Sequence, residues 1–431
     1  MASGPLRIGV CGNGTVGGGV IALLQDQASL YRSRCGRSLE LTMVGARRDR
    51  DDCLVPPSVA VERDLSLVAS ARDLDVVVEC IGGTDRAAEL VRAALSSGKS
   101  VVTANKALIA EQGNELYKLA ENNGVSLLCE AAVAGGVPII KALREGMAAN
   151  CVSSVTGIIN GTGNFILSDM AAAGRDFAEV LAEAQALGYA EADPTFDVEG
   201  IDAAHKLAIL ASIAFAMPLK FEEVYCEGIS QVTPEDLTFA KELGYCIKHL
   251  GIAKQREQGV ELRVHPTLLP IEEQLASVDG VLNAVRLEGH AAGATVYSGA
   301  GAGRLPTASA VLADLIDLAR SGSEVISGLG TAVSTLEDRA VLSMDDVRSA
   351  WYLRLNMLDQ PGVMSQVASC LGAEGVSIEA LIQRPPVHGQ QSVSVVVVTN
   401  EAREQELGRA LDAINALEGI ATQPYRIRVE G

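Results

Sequence analysis

Hydrophobic residues in the first third of the chain fall into short continuous runs, separated by stretches with helical spacing. In the stretches 87–95 and 108–119, for example, apolar residues recur at i, i+3 and i+4. Alternating strands and helices with near-continuously apolar strands predict an α/β fold, in which helices cover both faces of a parallel sheet. The predicted strands cover residues 6–11, 39–46, 75–80, 100–104 and 125–131.

The pattern changes after about residue 148, where strands and helices no longer alternate regularly. This region predicts an α+β arrangement with helices packed on one sheet. Residues 321–343 contain Ser and Gly and are weakly patterned, which predicts a linker. The predicted strands are 152–159, 262–268 and 294–298, and the predicted helices are 163–173, 177–187, 201–216 and a segment from Pro306 to about 319.

The last segment, from Trp351 onward, has the pattern of a βαββαβ module that is complete in itself. At roughly 100–200 residues per domain, the chain is long enough for two to four domains. We therefore predict three of them. Residues 1–148, completed by 305–342, form the parallel-sheet domain, and residues 149–304 and 350–431 form the other two.

Composition narrows the class of protein. The chain has 431 residues, 48% of them apolar, and a formal net charge of -19. This charge repels phosphate backbones, so nucleic acid and anionic membranes are not expected partners. The nine cysteines show no C-x-x-C spacing, and neither a signal peptide nor a membrane-spanning apolar stretch is visible. We expect a reduced, cytoplasmic, soluble protein.

A glycine-rich loop, GNGTVG, follows the first predicted strand and opens a helix. In this pattern the first glycine allows a tight turn, the second lets a pyrophosphate approach the backbone, and the third lets strand and helix pack closely. The position favours a Rossmann-type nucleotide-binding domain over a glycine-rich turn without a ligand. The candidate cofactor-binding residues are Gly12, Asn13, Gly14, Thr15, Val16 and Gly17.

The end of the second predicted strand bears on the choice of dinucleotide. NAD-binding domains normally carry Asp or Glu there, for the adenosine ribose. Here the sequence reads GARRDR, and Arg47 and Arg48 would suit the extra phosphate of NADP. The alternative is a solvated basic turn. We predict that NADP is accepted, with Arg47 the better candidate, while the preference between NADP and NAD stays open.

Four longer motifs carry more information than the glycine loop. They are GKSVVTANKALIA (98–110), CEAAVAGGVPII (129–140), GIINGTGNFIL (157–167) and AQALGYAEADPTFDVEGIDAAHKLAIL (184–210). These motifs resemble those of homoserine dehydrogenases, and the resemblance covers nearly the whole chain. It implies an NADP- or NAD-dependent hydride transfer between L-homoserine and L-aspartate 4-semialdehyde, in the biosynthesis of threonine, methionine and isoleucine.

The residues of the last motif agree with that chemistry. Homoserine carries an ammonium, a carboxylate and a reacting hydroxyl, and the motif offers several carboxylates and a lysine. Asp202 and Lys206 are four residues apart on a predicted helix, so they share a face of an otherwise apolar segment. The alternative is a helix-surface ion pair, which is common and contributes little.

The resemblance also implies a role for each site residue. Lys206 would donate the proton, Asp202 would position Lys206 and the substrate hydroxyl, and Glu191 would bind the substrate ammonium. Asp197 would support the polar site, and Lys106 would touch both cofactor and substrate. The positions that would approach the cofactor are Gly82, Gly83, Thr84, Gly188 and Gly303.

The segment 130–137 resembles the family's monovalent-cation site. Its pattern implies Glu130 with the main-chain oxygens of Val133, Gly135 and Val137, a set that suits a hard cation such as sodium. The alternative is a glycine-rich turn between a strand and a helix, and the sequence does not separate the two.

Residues 351–383 resemble an ACT domain, a module that binds amino acids. In the turn DQPGV, Pro361 favours a helix start and Asp359 can cap it. In this family an attached ACT domain implies feedback by threonine; the alternative is a structural dimerisation domain. We expect a homodimer or homotetramer.

Two other functions remain open at this point. A non-catalytic amino-acid sensor could use the same folds, although the presence of Asp202 and Lys206 disfavours it. An aspartate-semialdehyde dehydrogenase would need a cysteine nucleophile with a paired base, and no cysteine here lies in such a motif.

Overall fold

The computed structural model describes residues 4–53, 55–384 and 392–430. The first part is a parallel sheet of six strands in the order β3-β2-β1-β4-β5-β6, the order of a dinucleotide-binding Rossmann fold. Every pair in it is parallel, so the predicted α/β sheet is confirmed. The strands are β1 (Leu6–Cys11), β2 (Leu39–Gly45), β3 (Ala60–Glu62), β4 (Val76–Glu79), β5 (Ser100–Thr103) and β6 (Leu127–Leu128).

Helices cover both faces of this sheet, as near-continuously apolar strands require. Val76 and Val78 of β4 belong to one apolar cluster, and Val77 belongs to the cluster on the opposite face. The helices are α1 (Thr15–Asp26), α2 (Ala28–Cys35), α3 (Leu65–Ser70), α4 (Asp85–Ser96), α5 (Lys106–Asn122) and the short α6 (Ile139–Lys141), which continues into a π-helical turn (Ala142–Gly146).

Strand β6 is shorter than the sequence predicts. The predicted run extended to residue 131, but the chain turns into a 3-10 helix at Glu130–Ala132. The buried Glu130 carboxylate accepts hydrogen bonds from the backbone N–H groups of Ile140 and Lys141, at 3.1 and 2.8 Å. These bonds connect the end of the strand to the start of α6, so the chain cannot continue in the extended direction.

The middle of the chain forms antiparallel strands with helices on one side, and only the short strand Tyr225–Cys226 among these described strands pairs in parallel. Helix α10 packs on β7, β9 and β10, and its buried faces explain the apolar sequence seen around Asp202 and Lys206. The strands are β7 (Val152–Ile158), β8 (Tyr225–Cys226), β9 (Tyr245–Arg256), β10 (Gly259–Pro270), β11 (Leu282–Gly289) and β12 (Gly293–Ala300). The helices are α7 (Gly161–Ala173), α8 (Phe177–Ala186), α9 (Thr195–Val198), α10 (Ile201–Phe215), α11 (Pro234–Glu242) and α12 (Arg304–Ser321), with 3-10 turns at Phe221–Glu223 and Gln274–Ser277.

Helix α12 returns to the first domain. Its buried residues Val311 and Leu315 belong to the same apolar cluster as Ile8 and Val20 of the Rossmann sheet and α1. This packing agrees with the proposal that residues after 305 complete the nucleotide-binding domain. The chain therefore passes from the cofactor region into the substrate region and returns to the cofactor region with α12.

The C-terminal residues form the predicted βαββαβ module, but the module is not separate from the rest. Strand β17 pairs in parallel with β10 as well as antiparallel with β13, so one eleven-stranded sheet runs through both parts. Nine of its strands follow the order β12-β11-β7-β9-β10-β17-β13-β15-β14, and the short β8 and β16 pair with β10 and β13. The elements are β13 (Arg348–Leu358), α13 (Val363–Ala373), β14 (Ile378–Gln383), β15 (Ser392–Thr399), β16 (Ala402–Arg403), α14 (Glu404–Asn415) and β17 (Tyr425–Val429).

Residues 321–343 were predicted to form a linker, and this prediction is wrong. Val260 of β10 donates its N–H to the carbonyl of Ala340 and accepts from Leu342, both at 2.9 Å. The Ile326 N–H donates to Ser126 Oγ at 2.8 Å, and Leu329 is buried. The segment contains few periodic apolar residues because backbone hydrogen bonds, rather than an apolar face, hold it against the body of the protein.

No helix in the described ranges is long and apolar enough to cross a membrane.

Candidate active site

A cavity of about 620 Å³ lies where the Rossmann sheet meets α7 and α10. The charged residues of the substrate region meet the glycine loop of the Rossmann region here, since Val16 of α1 lines the same cavity as Asp202 and Lys206. The sequence-predicted residues that line it are Val16, Lys106, Gly135, Gly188, Glu191, Asp197, Asp202, Lys206 and Gly303.

Asp202 lies between two lysines at the wall of this cavity. Its Oδ2 accepts a hydrogen bond from Lys206 Nζ at 2.6 Å, and its Oδ1 is 3.1 Å from Lys106 Nζ. Lys206 Nζ also donates to the Ile159 carbonyl at 2.7 Å. Asp202 and Lys206 are buried, whereas the Lys106 side chain is one-third exposed, at 34%. The predicted i, i+4 pair is thus a buried cluster of three charges and not a surface ion pair.

Asn160 belongs to the same cluster, although the sequence did not single it out. Its Nδ2 donates to Asp202 Oδ2 and to Asp197 Oδ1, both at 2.8 Å. Its Oδ1 accepts from the Gly163 N–H at 2.7 Å, which makes it the N-cap of α7. An Asn before a glycine-containing helix start is the signal that could have identified the cap. Its contact with Asp202 depends on tertiary structure.

The pKa values of the Asp202 and Asp197 carboxyl groups are shifted in opposite directions. Burial opposes ionisation of Asp202, but Lys206 and Lys106 outweigh it and lower its pKa to about 2. Burial raises the pKa of Asp197, and the nearby Asp202 charge adds to that effect, which the Asn160 hydrogen bond only partly offsets. Asp202 is therefore a fixed anion between two lysines, and Asp197 is the carboxylate that gains a proton more easily.

A chain of hydrogen bonds positions Lys106, the first residue of α5. Asn105 caps this helix and donates from Nδ2 to the Gly83 carbonyl at 2.7 Å. The Asn105 N–H donates to Thr103 Oγ1, which donates in turn to the fully buried Glu79 at 2.5 Å. Glu79 also accepts from the Ile81 N–H at 2.7 Å. These bonds hold Lys106 in a fixed position relative to the predicted cofactor loop around Gly83. Glu79 makes the connection, and it was not predicted from the sequence.

His205 neighbours Lys206 but points elsewhere, as its adjacent position on the helix predicts. Its ring stacks near Phe221, with centroids 4.1 Å apart, and near Phe196 at 5.3 Å. Burial and the positive charge of Lys106 lower its pKa to about 4. At neutral pH it is an uncharged, buried ring packed between aromatic side chains.

A second cavity, of about 640 Å³, begins at the glycine loop. Gly12, Asn13 and Gly14 line it together with four arginines, and no Asp or Glu is among its lining residues in the described ranges. A Cβ at Gly12, whose φ is +103°, would collide with the Cys80 carbonyl, whereas none of the described atoms lies within 4 Å of a Cβ built at Gly14. The arginines are Arg47, Arg48, Arg50 and Arg86.

The remaining residues of the glycine motif act through packing. Gly17 lies against the Gly12 carbonyl and leaves no room for a Cβ. Thr15 begins α1, with Gly14 as its N-cap, and Thr84 has the same N-cap position at α4. Two helices therefore begin beside the nucleotide cavity, where their N-terminal dipoles favour phosphate.

Two further predictions concern the segment 130–137, the expected cation site, and the DQPGV turn of the ACT module. The Glu130 carboxylate accepts one backbone N–H group on each oxygen, as described above, and each oxygen keeps a further lone pair. Burial, together with Asp314, raises its pKa to about 8. In the DQPGV turn, Gly362 with a φ of +93° is the N-cap of α13, without a side-chain cap. The expected capping by Asp359 is therefore wrong, because the helix begins only at Val363.

A Rossmann sheet, a nucleotide cavity lined by arginines and a buried lysine–aspartate cluster beside it define an NAD(P)-dependent oxidoreductase. The comparisons with known proteins identify which one. The family model "Homoserine dehydrogenase, NAD binding domain" matches residues 12–130, "Homoserine dehydrogenase" matches 138–316, and "ACT domain" matches 351–419.

Relatives that match nearly the full length of the chain indicate the same family as these models. The chain is 50% identical over 430 residues to a homoserine dehydrogenase of Pseudomonas aeruginosa, with 99% of each chain covered. It is similar to the crystal structure of a homoserine dehydrogenase from Thiobacillus denitrificans, with 46% identity, a TM-score of 0.94 and coverage of 99% and 98%. The chain is also similar to a structure of a hyperthermophilic archaeal homoserine dehydrogenase in complex with NADPH, with 26% identity and a TM-score of 0.62. The match covers 73% of this chain and 97% of the archaeal chain.

The chain belongs to the homoserine dehydrogenase family. The predicted oxidoreductase function, nicotinamide cofactor and C-terminal ACT domain are confirmed. The aspartate-semialdehyde dehydrogenase alternative also fails on the structure, because no cysteine is among the described residues that line the cavity beside Lys206.

Proposed function

We propose that Lys206 supplies the proton in the interconversion of L-homoserine and L-aspartate 4-semialdehyde. The observation that carries this proposal is the cluster itself, with Lys206 Nζ 2.6 Å from Asp202 and 2.7 Å from the Ile159 carbonyl. A lysine ammonium has three donors. Two are used by these partners, and the third is available to the substrate oxygen in the cavity.

When it is bound, the nicotinamide would supply the hydride in reduction and accept it in oxidation, and the residues of the chain would exchange the proton on the substrate oxygen. In the direction of reduction, the carbonyl oxygen gains negative charge, and Lys206 transfers a proton to it to give the hydroxyl. In the direction of oxidation, neutral Lys206 accepts that proton. Asp202 remains ionised throughout and holds Lys206 and Lys106 in fixed positions, so little reorganisation is needed as charge develops.

The charged ends of the substrate match the two ends of the cavity. Glu191 is exposed and lines the cavity, so its carboxylate is the proposed partner of the substrate ammonium. Gly161 and Thr162, at the start of α7, also line it. The first N–H groups of a helix attract anions, and they are proposed to bind the substrate carboxylate. Asp197 supports the site through Asn160.

The arginine-lined cavity supports the acceptance of NADP. Arg47 is proposed to bind the phosphate on the adenosine ribose, and Arg48 is the second candidate. The absence of a carboxylate from the described lining removes the group that would bind the ribose hydroxyls of NAD. The proposed preference is therefore for NADP, with NAD as a weaker alternative.

Three further proposals complete this function. A monovalent cation, sodium in the first instance, would bind at Glu130 and at the main-chain oxygens of Val133, Gly135 and Val137. The chain is proposed to form a homodimer or homotetramer, since the half-exposed β12 is the terminal strand of the long sheet. Threonine is proposed as the effector of the ACT domain.

The test is homoserine oxidation by wild type and Glu191→Gln, with 4-hydroxybutyrate as a second substrate. This analogue has the hydroxyl and the carboxylate of homoserine but no ammonium. We expect the substitution to lower kcat/KM for homoserine by about tenfold to a hundredfold, the usual range for a charge-assisted hydrogen bond, and to change the slow oxidation of 4-hydroxybutyrate little. Equal losses with both substrates would remove Glu191 from ammonium binding.

A further inference from the structure

Glu79 is a fully buried glutamate at the boundary between the nucleotide cavity and the cavity of the catalytic cluster. It ends β4, and its neighbour in the sheet, Thr103, ends β5. After β4, Ile81 and Gly82 line the nucleotide cavity, and after β5, Ala104 lines the other cavity. The Glu79 carboxyl group therefore lies behind the two segments that form these walls.

The end of β4 is on the side of the sheet where the nicotinamide half of the cofactor is expected. The strand order reverses between β1 and β4, and dinucleotides bind across the crevice at such a reversal, outside the carboxyl ends of the strands. The glycine loop follows β1, and Arg47 follows β2 on the adenosine side. The loop after β4 is therefore the expected neighbour of the nicotinamide ring, which must also reach Lys206.

In the described chain, the groups that donate hydrogen bonds to the Glu79 carboxylate are all uncharged. Its Oε1 accepts from the N–H groups of Ile81 and Gly82, at 2.7 and 3.3 Å, and its Oε2 accepts from Thr103 Oγ1 at 2.5 Å. Buried carboxylates are normally paired with a cation, because an uncompensated buried charge is costly. A glutamine could accept from the same N–H groups and donate to Thr103 Oγ1. Holding the loop therefore does not by itself require a charge at this position.

The negative charge of Glu79 acts on groups in and beside the nucleotide cavity. Burial raises the pKa of Cys80, which lines this cavity, well above its ordinary value, and the Glu79 charge adds to that effect. The same two causes, in the same order, raise the pKa of Cys11 to about 12. A cofactor group that lies against this loop would be exposed to the same charge.

The two forms of the nicotinamide respond differently to such a charge, since the oxidised ring is a cation and the reduced ring is neutral. The nucleotide cavity contributes four arginines and, among its described lining residues, no Asp or Glu. Lys106 lines the neighbouring cavity and adds another cation. These cations disfavour the oxidised ring, whereas an ionised carboxylate behind the loop attracts it and has little effect on the reduced ring.

We propose that Glu79 strengthens the binding of the oxidised cofactor relative to the reduced cofactor, through its charge and not through the shape of the loop. Preferential binding of the oxidised form makes the bound reduced cofactor a stronger hydride donor to the carbonyl substrate. Hydride transfer moves two electrons, so each tenfold change in the ratio of the two dissociation constants shifts the potential of the bound cofactor by about 30 mV.

The experiment measures the dissociation constants of NADP⁺ and NADPH for the full chain without substrate, by isothermal titration calorimetry. Glu79→Gln keeps the hydrogen-bonding shape and removes the charge. Glu79→Asp keeps the charge, and Thr103→Val removes one hydrogen bond to the same carboxylate without changing its charge. We expect Glu79→Gln to raise the dissociation constant of NADP⁺ relative to that of NADPH by about tenfold. The other two variants should keep the wild-type ratio, even where both constants rise.

A Glu79→Gln protein in which both constants change by the same factor would overturn the proposal and leave Glu79 as a structural part of the loop. A shift of the ratio in Thr103→Val as large as that in Glu79→Gln would also overturn it, because the charge is still present in Thr103→Val. If Glu79→Gln folds poorly, the ratios in Glu79→Asp and Thr103→Val remain decisive, since either one departing tenfold from wild type contradicts an effect of charge. Repetition with NAD⁺ and NADH separates this proposal from the proposed preference for NADP, because the nicotinamide charge differs in the same way within each pair.

Discussion

Replacement of Lys206 by methionine is the sharpest test of the catalytic cluster. The change removes the proton donor but keeps most of the apolar side-chain volume in a buried position. General acid–base catalysis contributes about 10²–10⁴-fold, so we expect turnover to fall by that factor. The affinity for the cofactor should change little, because Lys206 does not line the nucleotide cavity.

Stability must be separated from chemistry in this experiment. Breaking a buried ion pair costs about 3–5 kcal/mol when the remaining charge is left alone. Asp202 keeps Lys106 at 3.1 Å and Asn160 at 2.8 Å, so we expect the cost to the free energy of unfolding to lie at or below the lower end of that range. Chemical denaturation of both proteins measures this cost directly.

Lys248 provides a matched control. It is a buried lysine whose Nζ donates to one carbonyl, that of Val278, and to one carboxylate, Asp279, both at 2.7 Å. These contacts resemble those of Lys206, but Lys248 lies outside the catalytic cavity. We expect Lys248→Met to lose stability and keep its turnover per folded molecule. Turnover of Lys206→Met within a few fold of this control would refute the proton-transfer role.

An arginine at the same position separates charge from proton transfer. Lys206→Arg keeps a cation beside Asp202, but a guanidinium does not release its proton at neutral pH. We therefore expect turnover almost as low as that of the methionine variant. Recovery of most of the activity in Lys206→Arg would mean that Lys206 acts by its charge alone.

Three further predictions follow from the structure. Arg47→Ala should weaken NADP binding by about tenfold or more and NAD binding little, because only NADP carries the adenosine phosphate; equal losses, measured by fluorescence titration, would make Arg47 structural. The pKa of Asp202 is lowered from 3.8 to about 2 in the folded protein, so its charge stabilises the fold above about pH 4 and that contribution, about 2 kcal/mol, is lost as the pH falls towards 2. The stability difference between wild type and Asp202→Asn should shrink by that amount in denaturation at decreasing pH, and a constant difference would contradict the depressed pKa. Truncation before Ser343 should lower thermal stability and promote association, because it removes β17 from the edge of β10; a truncated protein as stable and monodisperse as the full chain would show that the shared sheet contributes nothing.

The Rossmann domain could be predicted from the sequence because its strands are buried on both faces. Continuous apolar runs such as Val76–Val78 identify such strands without reference to anything else in the chain. Strand β3 is only three residues long and lies at the edge of the sheet, so it produced no run of this kind. Strand β9 was missed for a different reason. It buries Lys248 and His249 among its apolar residues, so the sequence reads as a mixed segment.

The connection of the ACT module to the rest of the protein was hidden by buried arginines. Arg428 and Arg263 are each about 1% exposed, yet in sequence they resemble the polar positions of a surface strand. Each is buried because a carboxylate from another segment meets it, Glu404 for Arg428 and Glu430 for Arg263. Local patterns do not contain this pairing, which is why the module was predicted to follow a free linker.

The catalytic cluster illustrates the same limit at the active site. The spacing of Asp202 and Lys206 indicates that they share a face, but a face of an apolar helix cannot bury two charges without further partners. Those partners come from two other places in the chain: Lys106 at the start of α5, and the consecutive residues Ile159 and Asn160 between β7 and α7. Lys106 belongs to the Rossmann domain and the others to the substrate region. Asp202 therefore reaches its final electrostatic environment only when the two regions are packed together, so Lys206, the proposed proton donor, is fully positioned at the interface where we propose that the nicotinamide meets the substrate.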